Sequence, residues 1–241
     1  MIPLLADAVW PSIPSSPLVL VPVGSTEQHG PHLPFDTDAV IATATATGIA
    51  HLLAGDSDPV LVAPTLAYGS SGEHQDFAGT ASIGRDALRM VVVELVRSLS
   101  TWAGRIVLVN GHGGNVSTLS SAVPQLLGER HDVAWIPCAT PGGDAHAGRS
   151  ETSLLLAIAP ERVRLEAAVA GVTDSMPTLF ERLTRVGVRA VSPSGVLGDP
   201  AGANAEEGAR LLEAMIASGL RRIRTAQVDA GGRLRDPGGT P

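Results

Sequence analysis

Glu27, His29, His32, Asp36 and Asp38 fall within twelve residues of one another, at the exit of the apolar run Leu18-Val-Leu-Val-Pro-Val23. Carboxylate and imidazole side chains grouped in this way supply the oxygen and nitrogen donors that zinc, iron or manganese binds. Glu27 and His29 are two residues apart, so in an extended segment both face the same side. Two further clusters extend the set. Asn110-Gly-His-Gly-Gly-Asn115 follows Arg105-Ile-Val-Leu-Val109, and Asp144-Ala-His-Ala-Gly-Arg-Ser-Glu-Thr-Ser153 adds His146 and Glu151. None of the donors Glu27, His29, Asp38, His112, His146 and Glu151 is a sulfur atom.

Taken singly, each residue has a plainer role: Glu27 could cap a turn, and His29 could be a satisfied polar group. Taken together, they raise a charge problem. Glu27, Asp38 and Glu151 in one crevice would force at least one carboxylate to protonate unless cations offset them. Two divalent ions per chain would do so, and paired ions about 3.5–4 Å apart are a recurrent device for activating water and stabilising a developing oxyanion. Two roles are open to His146, a further ligand or a proton shuttle beside the metals. Glu73 and His74, in the loop from Gly69 to Phe77, are candidates for lining the substrate pocket, while His51 and His131 sit in polar stretches with no role in the chemistry. Gly111, Gly113 and Gly114 let the backbone turn tightly at His112 and leave space for a substrate. They are not a nucleotide P-loop, which needs a lysine at a fixed spacing.

These clusters need a scaffold that gathers them. Short apolar runs at Leu18–Val23, Val60–Ala63, Ile106–Val109 and Val133–Pro137 read as buried parallel strands. Helical periodicity is clearest from Arg85 to Trp102, and helices are also expected from Asp38 to Leu53, Val116 to Leu127, Glu151 to Ala159 and Ala203 to Arg224. The alternation predicts a single-domain three-layer α/β/α sandwich with a mostly parallel central sheet. Glu27, Glu73 with His74, His112 and His146 each follow a different strand, and in open α/β sheets the ligand crevice lies beyond the carboxyl ends of the strands. Residues 1–17 read as a proline-rich arm, residues 18–228 as the domain, a late strand is expected around Gly187 to Val191, and 229–241 has the composition of a disordered tail.

Composition narrows the function. The chain has 241 residues, a formal charge of −7 and only 3% aromatic residues, which argues against phosphate-backbone or base-stacking contacts and so against a nucleic-acid partner. Cys138 is the only cysteine, excluding an intrachain disulfide and a multi-thiolate zinc site. The N-terminus lacks the features of a signal peptide, and no segment reaches the roughly 18 apolar residues of a membrane span. A soluble, cytoplasmic protein is expected.

Four motifs together resemble the creatininase family of metal-dependent amidohydrolases: Gly24-Ser-Thr-Glu-Gln-His-Gly-Pro-His-Leu-Pro-Phe-Asp-Thr-Asp38, the run Tyr68 to Thr80, Asn110 to Asn115, and His146 to Ser153. The resemblance implies a dinuclear centre in which Asp38 bridges, Glu27 and His112 serve one ion, and His29 with a second carboxylate serves the other. Creatininase carries an aromatic and a glutamate where this chain has Gly113 and Gly114, so Glu151 is the candidate for that second carboxylate. The run Ala67 to Gly84, the approach Cys138 to Gly148 and Gly195 to Pro200 resemble the mycofactocin branch of the family. That resemblance implies a peptidase removing the C-terminal Val-Tyr-derived dipeptide from a modified precursor peptide, with Ser71, Glu73, His74 and Gly113 toward the substrate and a closed homo-oligomer such as a hexamer. The alternatives are hydrolysis of a formamide or cyclic amide such as creatinine, and a non-catalytic metal-binding protein.

Overall fold

Four apolar segments form one sheet: β1 (Leu18–Val23), β2 (Val60–Val62), β3 (Arg105–Asn110) and β4 (Val133–Pro137). Their order is β2-β1-β3-β4 and every pairing is parallel. The computed structural model describes residues 4–54, 59–139 and 142–238. The first three residues of the arm, residues 140 and 141 in the approach to His146, and the last three of the tail lie outside the described residues.

The strands are apolar on both faces because helices cover both. α2 (Gly84–Leu99) and α3 (Val116–Gly128) pack on one face, where Leu88, Val92, Val96, Leu119 and Leu126 meet Val19, Val21, Ile106, Leu108 and Trp135. α1 (Thr37–Leu53) and α6 (Ala205–Thr225) cover the other, where Ala46, Ile49, Leu53 and Ile223 meet Leu20, Val62, Val107, Val109 and Ile136. Full burial of each large aliphatic side chain contributes about 1.5–3 kcal/mol, which makes this double layer the dominant source of stability. α6 is capped by Asn204, whose side chain accepts the Glu207 N–H.

The expected three-layer arrangement is therefore present, with α4 (Arg149–Ile158) packed against α6. Two expectations are corrected. Residues 187–191 are not a strand but the end of α5 (Met176–Val191), a helical stretch broken at Gly187, where φ is +75°. Leu179, Leu183, Val188 and Val191 bury one side of it together with Leu197, a three-to-five-residue spacing that the short Val-Arg-Ala-Val run conceals when read alone. The segment after Asp229 also packs. Arg233 bridges to Trp135, Leu234 is fully buried, and Arg221 pairs with Asp236 at 2.9 Å. Its glycines serve turns against the sheet, so their content is not a mark of disorder here.

At the other edge, Leu4 bridges to Val62, and Leu5 and Ile13 of the N-terminal arm pack on the core. Among the described residues no helix is long and apolar enough to cross a membrane.

Candidate metal centre

β1 and β3 are neighbours in register, with Val23 opposite Asn110, so the segments carrying Glu27 and His112 leave the sheet side by side. β2 lies on the opposite side of β1 from β3, which makes this gap the point where the strand order reverses and a crevice opens. Asp38 enters from the first turn of α1. A β-carbon on Gly111 would lie 2.4 Å from the Asp38 carbonyl oxygen, so glycine there lets the β3 exit abut α1.

The structure brings together every expected ligand. Asp38 turns Oδ1 to His29 Nε2 at 3.1 Å and Oδ2 to His112 Nδ1 at 3.1 Å. His112 Nε2 is 3.2 Å from Glu27 Oε2, and His29 Nε2 is 3.9 Å from Glu151 Oε2. Two ligand-sized groupings follow from these positions, Glu27 with Asp38 and His112, and His29 with His146 and Glu151; a third joins Glu27, His74 and His146. Glu27, His29 and Asp38 are buried, and Glu151 is half-buried. Glu151 also accepts the Ala147 N–H at 2.6 Å, so it steadies the start of α4 while facing the cluster.

Backbone carbonyls set the imidazoles. A carbonyl only accepts, so the ring nitrogen facing it carries the proton. Glu27 O receives His29 Nδ1 at 3.1 Å, Ser70 O receives His112 Nε2 at 3.1 Å, and Gln28 O receives His146 Nε2 at 2.8 Å. In His29 and His146 the other nitrogen faces the carboxylates, which is how metal-binding histidines are oriented; in His112 Nδ1 faces Asp38, while Glu27 stands 3.2 Å from Nε2 itself. Glu27 Oε1 and Asp38 Oδ2 have no partner in hydrogen-bond geometry despite complete burial. Buried polar atoms are rarely left so, and here they point where a cation would satisfy them. The donor set therefore fits hard or borderline divalent ions.

Protonation follows from burial and neighbours. Burial alone would push His29 and His112 down, but the carboxylates of Asp38 and Glu27 more than offset it and lift both to about 10. The same contacts overcome the effect of burial on Asp38 and hold it well below the usual carboxylate range. Burial raises Glu27 to about 7 against the pull of His112, and raises Glu151 against that of His29. Burial, then the positive charge of neighbouring histidines, pushes His74 down to about 3 and His146 well below 6.5.

A cavity of about 850 Å³ opens over the cluster, lined by Glu73, His74, Gly113 and His146 among others. A β-carbon on Gly113 would meet nothing within 4 Å, whereas one on Gly114 would lie 2.4 Å from both His112 Nε2 and the Ser70 carbonyl oxygen. Ser71 is not in the cavity wall. It is fully buried, in contact with the Ser25 hydroxyl, which in turn donates to Glu27 Oε2 at 2.8 Å. His32, in the opening motif, lies close to Thr152 at 2.9 Å instead of joining the cluster. His51 is exposed, and His131 lies near Glu129, away from the cavity.

Gln28 carries no mark of a site residue in the sequence. Its side-chain oxygen accepts the Gly30 N–H, and its amide nitrogen donates to His74 Nδ1 at 2.8 Å and to Gly195 O at 3.1 Å. Its position between Glu27 and His29 was the available signal; alternation along an extended segment points it away from them, and the partners it finds there are remote in sequence. Asn115 likewise ties the loops, donating to Gly24 O and accepting from Ser70 N.

The sequence matches the family profile "Creatininase: Creatinine amidohydrolase" over residues 6–223. It is 51% identical over 225 residues to the mycofactocin precursor peptide peptidase of Mycobacterium tuberculosis, covering 91% of this chain and 90% of that protein. The fold is similar to a manganese creatininase with a TM-score of 0.75 and 26% identity over 93% of this chain and 98% of the other. A mutant creatininase of Zn-Zn type superposes with a TM-score of 0.74 and 26% identity, covering 92% and 97%. The profile spans the sheet and every motif of the buried cluster: this chain belongs to the creatininase family of hydrolases.

Proposed function

We propose that the chain is a two-metal peptidase that releases the C-terminal Val-Tyr-derived dipeptide from a modified precursor peptide. The observation that carries the two-metal part is Asp38, whose carboxylate offers one oxygen to each of two imidazoles. Glu27, Asp38 and His112 would hold one ion, and Asp38, His29 and Glu151 the other. Zinc and manganese are the metals named for the similar creatininases, and the same donors suit iron. Such ions supply Lewis acidity and lower the pKa of water, the chemistry an amide bond requires.

The chain's own residues supply orientation and proton handling. His146 is neutral, and with Nε2 committed to the Gln28 carbonyl its Nδ1 lone pair faces Glu27 Oε1 at 3.7 Å. It can take a proton there and pass it to the leaving amine. His74, with Nδ1 bonded to Gln28, turns its Nε2–H toward Glu27 Oε1 at 3.4 Å. Glu73 and His74 form the cavity wall nearest the cluster, and the open space at Gly113 suits an extended chain. Ile83 borders the cavity as exposed apolar surface that the released side chains would meet.

The peptide reading is supported by the name of the relative that shares half its residues with this chain. A closed homo-oligomer, such as a hexamer, belongs to the same proposal; exposed Val9 and Trp10 are apolar surface that such contacts would cover. Incubation of the metal-loaded protein with the modified precursor peptide, followed by mass spectrometry, should show loss of a C-terminal dipeptide. An unchanged peptide beside turnover of a formamide would replace this reading with small-amide hydrolysis.

A further inference from the structure

His74 and His146 stand side by side over one carboxylate oxygen, their ring centres 4.4 Å apart. His146 Nδ1 lies 3.7 Å from Glu27 Oε1, and His74 Nε2 lies 3.4 Å from it. By distance alone the three residues could share an ion. Gln28 separates the roles of the two rings. Its amide is oriented by two backbone groups of opposite polarity: the Gly30 N–H only donates, so the oxygen faces it, and the Gly195 carbonyl only accepts, so the nitrogen faces that. The two amide hydrogens then go to Gly195 O at 3.1 Å and to His74 Nδ1 at 2.8 Å. An amide NH2 cannot accept, so Nδ1 of His74 is bare and the ring hydrogen sits on Nε2.

Gln28 thus turns opposite functions of the two imidazoles toward the cluster. Its main-chain carbonyl holds the His146 hydrogen on Nε2 and leaves a lone pair at Nδ1, while its side chain engages the His74 lone pair and leaves an N–H. An N–H cannot ligate a cation, which places His74 outside the metal-binding set. Glu27 Oε1 is not in hydrogen-bond geometry with any group, so this N–H is not committed to it. His74 is buried and lines the cavity, where its fixed donor meets whatever oxygen enters. With Nδ1 already bare, loss of the Nε2 hydrogen would leave an anionic ring, so His74 can stabilise charge but not shuttle a proton. In amide hydrolysis the carbonyl oxygen is the atom that gains negative charge, and a preoriented N–H aimed at it lowers the barrier. We propose that His74 Nε2–H donates to the oxygen of the scissile amide as charge builds on it, with Gln28 as the positioning residue that keeps the hydrogen there. No bond to that hydrogen breaks; the proton for the leaving amine travels by His146. This rests on the peptidase reading above.

Nitrogen NMR of the zinc-loaded protein, labelled at histidine, reads the tautomer, and His74→Ala identifies the His74 signals. The native ring should show Nδ1 bare and Nε2 protonated. Gln28→Glu, whose carboxylate accepts but cannot donate, should draw the hydrogen to Nδ1. His74→Ala should keep its metal content and its KM for the modified precursor peptide but lower kcat by about 10²–10³-fold, the loss expected for one oxyanion donor. His74→Gln, which retains an N–H, should restore part of it. Native kcat in His74→Ala, metal lost from that variant in step with activity, or a hydrogen on Nδ1 in the native protein would each overturn the assignment while leaving the peptidase reading intact. A native protein that leaves the peptide whole would overturn that reading, and this assignment with it.

Discussion

The main-chain carbonyl of Gln28 lies 2.8 Å from His146 Nε2, fixing which nitrogen of that ring carries a proton. The free nitrogen then faces Glu27, a neighbour 119 positions away in the chain (146 − 27). His146→Ala should keep its metals, since Glu27, His29, Asp38, His112 and Glu151 all remain. It should lose turnover by about 10²–10⁴-fold, the range for a positioned proton transfer. Metal analysis and single-turnover cleavage on one preparation check this; metal lost in step with activity would move His146 into the ligand set.

Asp38 offers one carboxylate oxygen to His29 and the other to His112. Asp38→Ala is expected to strip both ions, whereas Glu27→Ala or Glu151→Gln should weaken one. For Glu151→Gln the amide oxygen can still accept the Ala147 N–H, so thermal stability without metal should be nearly unchanged while metal content and rate fall. Metal per chain after dialysis decides; two tightly held ions in Asp38→Ala would remove its bridging role.

Loading metal should release protons. In protein stripped of metal, His29 and His112 sit at about 10, above the ordinary 6.5, and so are protonated at pH 8. Both must be neutral to bind an ion, so roughly two protons per chain should leave on loading. Titration calorimetry in buffers of different ionisation enthalpy measures the number. The sign of the stability effect is the reverse of the binding one. Raised pKa values in the stripped protein give stability that is complete below pH 6.5 and fades as pH rises through about 10, while apparent metal affinity grows over the same range.

Gly113 and Gly114 are adjacent but should respond in opposite ways. Gly113→Ala adds a methyl group to open space and should leave stability unchanged. Gly114→Ala places one against His112 Nε2 and the Ser70 carbonyl, so a cost of about 1–3 kcal/mol and reduced metal content are expected. Thermal melts and metal analysis of the two variants separate them; equal behaviour would mean the loop yields freely.

Much of this was legible because buried parallel strands write themselves as unbroken apolar runs. β1 and β4 begin and end where the pattern places them, and β3 is one residue longer at each end. The convergence of Glu27, His29, Asp38, His112, His146 and Glu151 followed from their places after successive strands. What escaped depends on pairs distant in sequence. Gln28 reaches His146 and Gly195, and Ser71 is turned inward by Ser25, neither of which any local period encodes. The helical end of α5 was hidden because four apolar or small residues suit either period, and burial against Leu197 decided the outcome.

Leu4 at Val62 and Arg233 at Trp135 place one end of the chain along each outer strand. An unpaired outer strand is a template on which foreign strands can add. By laying its own termini there, the chain partly closes both rims of the sheet to recruitment. Clipping either segment with a protease would leave that rim more open to added strands.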